Sequence, residues 1–133
     1  MRIGISHWQG RVAPVFDVSE HLCLVQVENG TEMERQEAML VQRGPLQRAQ
    51  EVSNLGVGVL LCGAVSRELE TALMGRGIQV VPFLCGDREA VLNSFLSGNR
   101  VDPGFRMPGC AGPRGWRGGQ GRRRRGRRGP GVR

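Results

Sequence analysis

The sequence predicts an α/β protein in which a mixed sheet carries helices on both faces. An Asn29-Gly30 dipeptide separates two strand-like runs, which is the strongest short-range signal for a β-hairpin. Beyond the hairpin, three segments with helical spacing of apolar residues alternate with two short apolar runs. The predicted order is therefore β-β-β-α-β-α-β-α. A hairpin meander followed by β-α-β units gives a five-stranded mixed sheet in three α/β/α layers.

The first three strands form the predicted meander. Residues 2–6 alternate in polarity and predict the first strand, and residues 7–14, with Gly and Pro, predict a loop. The second strand is predicted at residues 21–28, and the third, at residues 31–40, is polar enough to lie at an edge. The second strand should place alternate side chains on opposite faces: Leu22, Leu24 and Gln26 on one, and Cys23, Val25 and Val27 on the other.

The remaining elements alternate between helix and strand. A first helix is predicted from Pro45 to about Leu55, with an apolar stripe of Leu46, Ala49 and Val52. The apolar run at residues 57–62 predicts a strand that is buried on both faces.

The last helices are marked by capping residues. Ser66 is predicted to cap a helix that stops at Gly75 and Gly77. The final strand is predicted at residues 78–83. Asp87 is predicted to cap a third helix that buries Val91, Leu92 and Phe95 and ends at Gly98.

The order of elements also predicts where a ligand would bind. In open α/β sheets, ligands bind at the carboxyl ends of the strands. Three loops follow such ends, at residues 6–16, 62–66 and 84–86, and we expect them to meet. The polar and sulfur-bearing residues in or beside these loops are Ser6, His7, Arg11, Asp17, Cys62, Ser66 and Cys85.

Charge is divided unevenly along the chain. The chain has 133 residues, enough for one domain with some chain left over, and all 19 of its basic residues are Arg. Residues 1–110 carry ten Arg and twelve acidic residues, which gives −2, whereas residues 111–133 carry nine Arg and no acidic residue. The −2 of residues 1–110 and the +9 of residues 111–133 give the net charge of +7. Because the positive charge is confined to the second region, a uniformly basic nucleic-acid-binding domain is disfavoured.

The composition excludes several classes of protein. Without Lys, the chain has neither a Schiff-base lysine nor a phosphate-binding lysine of the Walker type. Its apolar runs are too short to span a membrane, and residues 1–7 do not fit a signal peptide. We therefore expect a cytoplasmic protein without a membrane partner. Four widely spaced cysteines predict neither a disulfide framework nor a four-ligand zinc site.

Three regions are predicted along the chain. Residues 1–102 form the α/β domain, and residues 103–112 form a loop that contains several breakers of regular structure. Residues 113–133 are rich in Gly and Arg and cannot bury a core, so we expect a disordered C-terminal tail.

Several residues near the predicted edge could carry chemistry. Cys62 ends a buried strand just before a helix N-terminus, which favours a thiolate, yet free Cys is also among the most buried residue types. Both interpretations stay open. Likewise, His7 is either a metal ligand or a loop residue in solvent. Met107 and Cys110 offer soft sulfur donors to thiophilic metals, or are ordinary loop residues. A Ser-His-Asp triad is disfavoured because the chain has no G-x-S-x-G elbow.

Several segments, in the right order, resemble a known family. They read MRIGI at residues 1–5, GRVAPVFD at 10–17, CGAVS at 62–66, GIQV at 77–80, CG at 85–86 and FRMPGCAG at 105–112. These motifs are similar to those of the dinitrogenase iron–molybdenum cofactor biosynthesis family, of the NifX and NifB C-terminal type, which includes orange-protein-like cluster carriers.

The resemblance implies a fold, a function and a site. It implies a ribonuclease H-like α/β/α fold and a carrier or assembly factor, not an enzyme. The cargo would be a metal–sulfur cluster of the Mo/Fe or Mo/Cu sulfide type, and the partners would be cluster donor and acceptor proteins. Arg side chains, backbone N–H groups at a helix start and sulfur donors would hold such an anionic, soft group. The residues implied to line the cluster face are Arg11, Phe16, Asp17, Cys62 and Gly63, with Met107 and Cys110 folding over it.

Two other functions are carried as alternatives. The nine positive charges of the tail attract any polyanion, so an RNA-associated or regulatory module acting through residues 113–133 is one. A hydrolase on the same fold is the other. It would need clustered carboxylates to hold Mg²⁺, and Asp17 alone does not supply them.

Overall fold

The computed structural model describes residues 1–98 and 100–108, and within them it has a mixed α/β fold. Six strands form a single mixed sheet, and three α-helices pack on it. The strands are β1 (Arg2–Trp8), β2 (Arg11–Val12), β3 (His21–Glu28), β4 (Thr31–Met39), β5 (Val59–Leu61) and β6 (Gln79–Val81). The helices are α1 (Pro45–Asn54), α2 (Arg67–Met74) and α3 (Arg88–Gly98).

The sheet has the order β4-β3-β1-β5-β6, with the short β2 paired to β1 alone. Strands β1, β3 and β4 form the predicted antiparallel meander. Strands β1, β5 and β6 are parallel. The carboxyl ends of these three strands therefore lie at the same edge of the sheet, which we call the carboxyl edge.

Helices cover both faces of the sheet, as the sequence predicts. On one face, α3 buries Val91, Leu92 and Phe95 against a core that includes Ile3, Ile5, Cys23 and Val25. On the other face, α1 and α2 pack over a second core. It contains Leu22, Leu24, Ala49, Val52, Leu60, Leu69 and Leu73. The alternation predicted for residues 21–28 is thus confirmed.

The prediction of five strands is wrong by one strand. Residues 11–12, predicted as loop, pair with residues 7–8 across a tight turn at Gln9 and Gly10. Both turn residues have positive φ (53° and 81°), as a type I′ hairpin turn requires. The sequence signal is weak because Gln stands where Asn or Asp marks such turns. By contrast, Asn29 and Gly30 form the predicted hairpin turn, with φ of 54° and 76°.

The predicted apolar stripe of α1 is also wrong at one position. Ala49 and Val52 are buried, but Leu46 is 68% exposed. The third buried residue of α1 is instead Arg48, which is 1% exposed. Sequence patterns rarely identify such a residue because Arg is almost never fully buried unless its donors are satisfied.

The predicted caps of α2 and α3 are present. The Ser66 hydroxyl accepts a hydrogen bond from the Leu69 N–H (3.2 Å). The Asp87 carboxylate accepts one from the Ala90 N–H (3.0 Å). Each cap satisfies an N–H that has no partner within the first turn of a helix, and so fixes where the helix begins.

The predicted tail at residues 113–133 lies outside the described residues. Among the residues that are described, no helix is both long enough and apolar enough to cross a bilayer.

We predict that Asp87→Ala lowers the free energy of unfolding by about 1 kcal/mol, because it removes the cap of α3. Asp87→Asn keeps an acceptor at the same place and should cost much less. Urea unfolding of the two variants tests this, and equal losses in both would contradict the capping role.

Candidate functional site

The three loops at the carboxyl edge converge on one turn, residues 83–87, which we call the hub turn. On the β2 side, the Val12 N–H donates to the Gly86 carbonyl (2.9 Å), and the backbones of Arg11 and Asp87 form an isolated antiparallel β-bridge. On the β5 side, the Leu84 N–H donates to the Cys62 carbonyl (3.0 Å). The hub turn therefore holds the loops after β1 and β5 in one frame.

A fourth segment, residues 105–107, is bonded to the outer side of the hub turn. The Cys85 N–H donates to the Phe105 carbonyl (2.7 Å), and the Met107 N–H donates to the Phe83 carbonyl (2.8 Å). Phe83 has a φ of 61°, which is costly for a bulky residue. This conformation lets its N–H reach Gly63 (2.8 Å) on one side while its carbonyl reaches Met107 on the other.

Gly63 permits the closest backbone approach in this region. A Cβ at Gly63 would lie 2.6 Å from the Pro14 carbonyl oxygen and would also clash with the Ala13 carbonyl. This contact allows the Ala64 N–H to donate to Pro14 (2.8 Å) and the Phe16 N–H to donate to Ala64 (2.7 Å). The need for glycine here is explained by backbone packing within the protein itself.

Asp17 and Phe16 are both held within the protein. The half-buried Asp17 carboxylate accepts a hydrogen bond from the Ser66 N–H (2.8 Å), at the start of α2. The Phe16 ring is fully buried in the core beneath α1 and α2. The expectation that N–H groups at this helix start face a ligand therefore fails for Ser66, because the protein's own carboxylate occupies that N–H.

The buried Arg48 fixes the loop that carries these two residues. Its guanidinium donates to the backbone carbonyls of Phe16 (3.2 Å), Ser19 and Gln42, and it lies 5.2 Å from the centre of the Phe16 ring. Burial lowers the Arg48 pKa. No pattern in the sequence singled this residue out, although it determines the path of residues 16–19.

The cysteines occupy different environments. Cys62 is fully buried in the core, and burial raises the pKa of its thiol. In the described structure it is a neutral core residue just below the carboxyl edge. Cys85 is half-buried on the hub turn, and its thiol donates to the Arg106 carbonyl (3.5 Å).

The remaining site residues are placed as follows. Arg11 is exposed on β2. Met107 is half-buried and anchored to Phe83. Cys110 lies outside the described residues. Arg11, Gly63, Cys85 and Met107 thus belong to segments joined by backbone hydrogen bonds around the hub turn, whereas Phe16 and Cys62 lie beneath them.

A second feature of the same edge was missed from the sequence. The His21 ring lies near both the Trp8 ring (5.3 Å between centres) and the His7 ring (5.8 Å). These three rings line a pocket of about 330 Å³ together with Val15 and Val18. The His7 Nε2 lies 2.7 Å from a Glu37 carboxylate oxygen. Sequence patterns do not reveal that His7 and His21 meet, because their pairing depends on the register of β1 against β3.

The hydrolase alternative finds no support in this arrangement. Within residues 1–98 and 100–108, no group of three or more His, Cys, Asp or Glu side chains could hold a metal ion. The Asp17 carboxylate accepts a hydrogen bond from the Ser66 N–H at the start of α2.

The fold of this protein is similar to that of known structures. No protein-family model and no curated protein matches the chain. Several solved structures share the fold. The crystal structure of PH0822 aligns with a TM-score of 0.70 and 20% identity, over 80% of this chain and 100% of that one.

Two more of these structures have descriptive names. The NMR structure of a candidate NifB protein (TM1290) from Thermotoga aligns with a TM-score of 0.57 and 22% identity, over 73% of this chain and 88% of that one. The apo form of the orange protein from Desulfovibrio gigas aligns with a TM-score of 0.61 and 27% identity, over 77% of this chain and 92% of that one. The resemblance that the motifs predict is confirmed, because structures of both the NifB type and the orange-protein type share this fold.

We predict that Gly63→Ala lowers the free energy of unfolding by about 3 kcal/mol, because the added Cβ forces the backbone at Ala13 and Pro14 apart. Gly58→Ala is the matched control. It lies just before the same strand, β5, and its Cβ would make only an ordinary contact with the Arg2 carbonyl at 3.8 Å. Chemical denaturation of the two variants should separate them, and equal stabilities would contradict the packing argument.

We predict that the protein loses stability as the pH rises from about 9 to 11. Burial raises the pKa of Cys23 from 9.0 to about 11 and also raises that of Cys62. In this range the unfolded chain loses thiol protons that the folded chain retains, so ionisation favours unfolding.

The chain has no Tyr and no Lys, so thiols are the side chains with ordinary pKa values in this range. Urea unfolding as a function of pH measures the loss. Cys23→Ala should remove part of it, and a free energy of unfolding that stays constant across the range would show that the buried thiols do not control it.

Proposed function

We propose that this protein is a carrier or assembly factor that binds an anionic metal–sulfur cluster, or its precursor, at the carboxyl edge and delivers it to a partner protein. One observation carries the proposal. The segments that bear Arg11, Cys85 and Met107 are held in one hydrogen-bonded frame around the hub turn. This frame combines a fixed positive charge with soft sulfur atoms.

The chemistry of these residues suits such a cargo. The guanidinium of Arg11 is exposed and offers several N–H donors to an anion. Thioether and thiol sulfur are the protein donors that thiophilic metals prefer, and Met107 and Cys85 supply them at the hub turn. Cys110, three residues beyond Met107, extends this set in our proposal.

The other predicted residues support the site from below. Phe16, Asp17 and Cys62 pack or bond beneath the loops, and Gly63 allows the loops to approach. We assign them a positioning role, in which they fix the backbone that presents Arg11 and Met107. A rigid frame lets the cluster bind without reorganising the loops.

The likeness to an apo orange protein and a candidate NifB protein supports this proposal. Under it, the cargo is a Mo/Fe or Mo/Cu sulfide, the partners are cluster donor and acceptor proteins, and the protein acts in the cytoplasm. The sheet order, with helices on both faces, is what supports the finer assignment to the ribonuclease H-like class.

Equilibrium dialysis of the anaerobic protein against tetrathiomolybdate, followed by its visible charge-transfer absorption, tests the proposal. We expect the protein to retain the anion. Arg11→Ala should weaken binding about tenfold, the loss expected for one charge-assisted hydrogen bond. Met107→Leu, which replaces the sulfur at similar volume, should also weaken it.

Arg76→Ala is the matched control, because it removes the same charge from an exposed position. Arg76 lies between α2 and the amino end of β6, away from the carboxyl edge. It should leave the affinity unchanged. Equal weakening by Arg11→Ala and Arg76→Ala would mean that only net charge matters, and the site assignment would then be wrong. No retention of thiomolybdate by the unmodified protein would overturn the carrier proposal.

A further inference from the structure

An apolar groove of about 640 Å³ runs along β6, away from the Arg11 side of the hub turn. Its lining includes Met74, Ile78, Val80, Val81, Pro82 and Leu84, with Glu70 and Arg106 among the polar residues. Met74 is 59% exposed, so its side chain is accessible to a binding partner in the groove.

The groove follows an open edge of the sheet. Among the described strands, β6 pairs only with β5. This parallel pairing uses the Gln79 N–H, which donates to Gly58, and the Val81 carbonyl, which accepts from Cys62. Peptide groups alternate in direction along a strand, so the N–H and carbonyl of Val80 point away from β5 and into the groove.

The chain itself leads into this groove. Arg106 pairs antiparallel with Leu84, and the Met107 N–H is bonded to Phe83, so residues 105–107 run back toward β6 on its open side. Arg106 already lines the groove. The 25 residues that follow Pro108 therefore start at the end of the groove.

The sequence of those 25 residues contains one large apolar side chain, Trp116. The eight residues from Pro108 to Trp116 can span up to ~26 Å. The stretch from Phe83 back to Gly77 is about 20 Å at the rise of a strand. Trp116 can therefore reach the far end of the groove, beside Met74. Arg114 and Arg117 flank it, and the acidic Glu70 lies in the lining.

We propose that residues 113–117 bind in the β6 groove of the same molecule, with the Trp116 indole against Met74 and Ile78. The contact buries a large aromatic surface and covers an open sheet edge that would otherwise be available to other chains. The positively charged segment binds a body whose residues 1–108 carry twelve acidic residues against ten Arg.

Trp116 fluorescence in the full-length chain tests the proposal. Trp8→Phe removes the only other Trp, which is 54% exposed on β1, and leaves Trp116 as the sole reporter. We expect its emission to lie at shorter wavelength than in denaturant, and acrylamide to quench it several-fold less. Added to this variant, Met74→Arg should abolish both effects, because it removes an apolar contact of the indole and adds a charge that repels Arg114 and Arg117.

Met33→Arg is the matched control. It makes the same change at a Met that is 62% exposed on β4, at the opposite edge of the sheet. It should leave Trp116 protected, and circular dichroism of each variant verifies that the fold is intact. The proposal is overturned if Trp116 is as exposed as in denaturant, or if Met74→Arg and Met33→Arg have equal effects. Protection that disappears on dilution would also overturn it, because the groove would then bind the tail of a second copy.

Discussion

The carboxyl edge depends on the contact between Gly63 and the backbone of Ala13 and Pro14. Because no Cβ stands between them, the two loops can bond directly, from Ala64 to Pro14 and from Phe16 to Ala64. That bonding places the Asp17 carboxylate on the Ser66 N–H at the start of α2. The Gly63 carbonyl in turn accepts from Phe83 and so anchors the hub turn. One close approach thus sets the positions of three loops.

In the proposed site, Arg11 and sulfur atoms bind the anion, and the helix starts do not. At the carboxyl edge, the protein's own carboxylates already accept hydrogen bonds from N–H groups at the helix starts. Asp17 does so at α2 and Asp87 at α3. These carboxylates would repel a negatively charged cargo, so a positive group at another position must balance its charge. The exposed Arg11 supplies a positive charge on β2, where its backbone lies across from Asp87 in the hub turn.

Most of the fold could be predicted from local patterns. Residues 21–28 alternate cleanly, Asn29-Gly30 marks its turn, and Ser66 and Asp87 mark their helices, because each feature is decided within a few residues. Three features could not be predicted, since each depends on distant contacts. They are the β1–β2 hairpin at Gln9, the buried Arg48 and the meeting of His7 with His21. For Cys62 the sequence left two environments open, and only packing places the thiol in the core.

The proposed function requires that an anionic metal–sulfur cargo binds at the carboxyl edge around the hub turn. Backbone amide chemical shifts, followed by NMR while tetrathiomolybdate is added, show where the anion binds. We expect the largest shifts at residues 10–12, 83–87 and 105–107, with smaller shifts at residues 62–64. Shifts confined to β4 or α1, or no shifts at all, would contradict binding at the carboxyl edge.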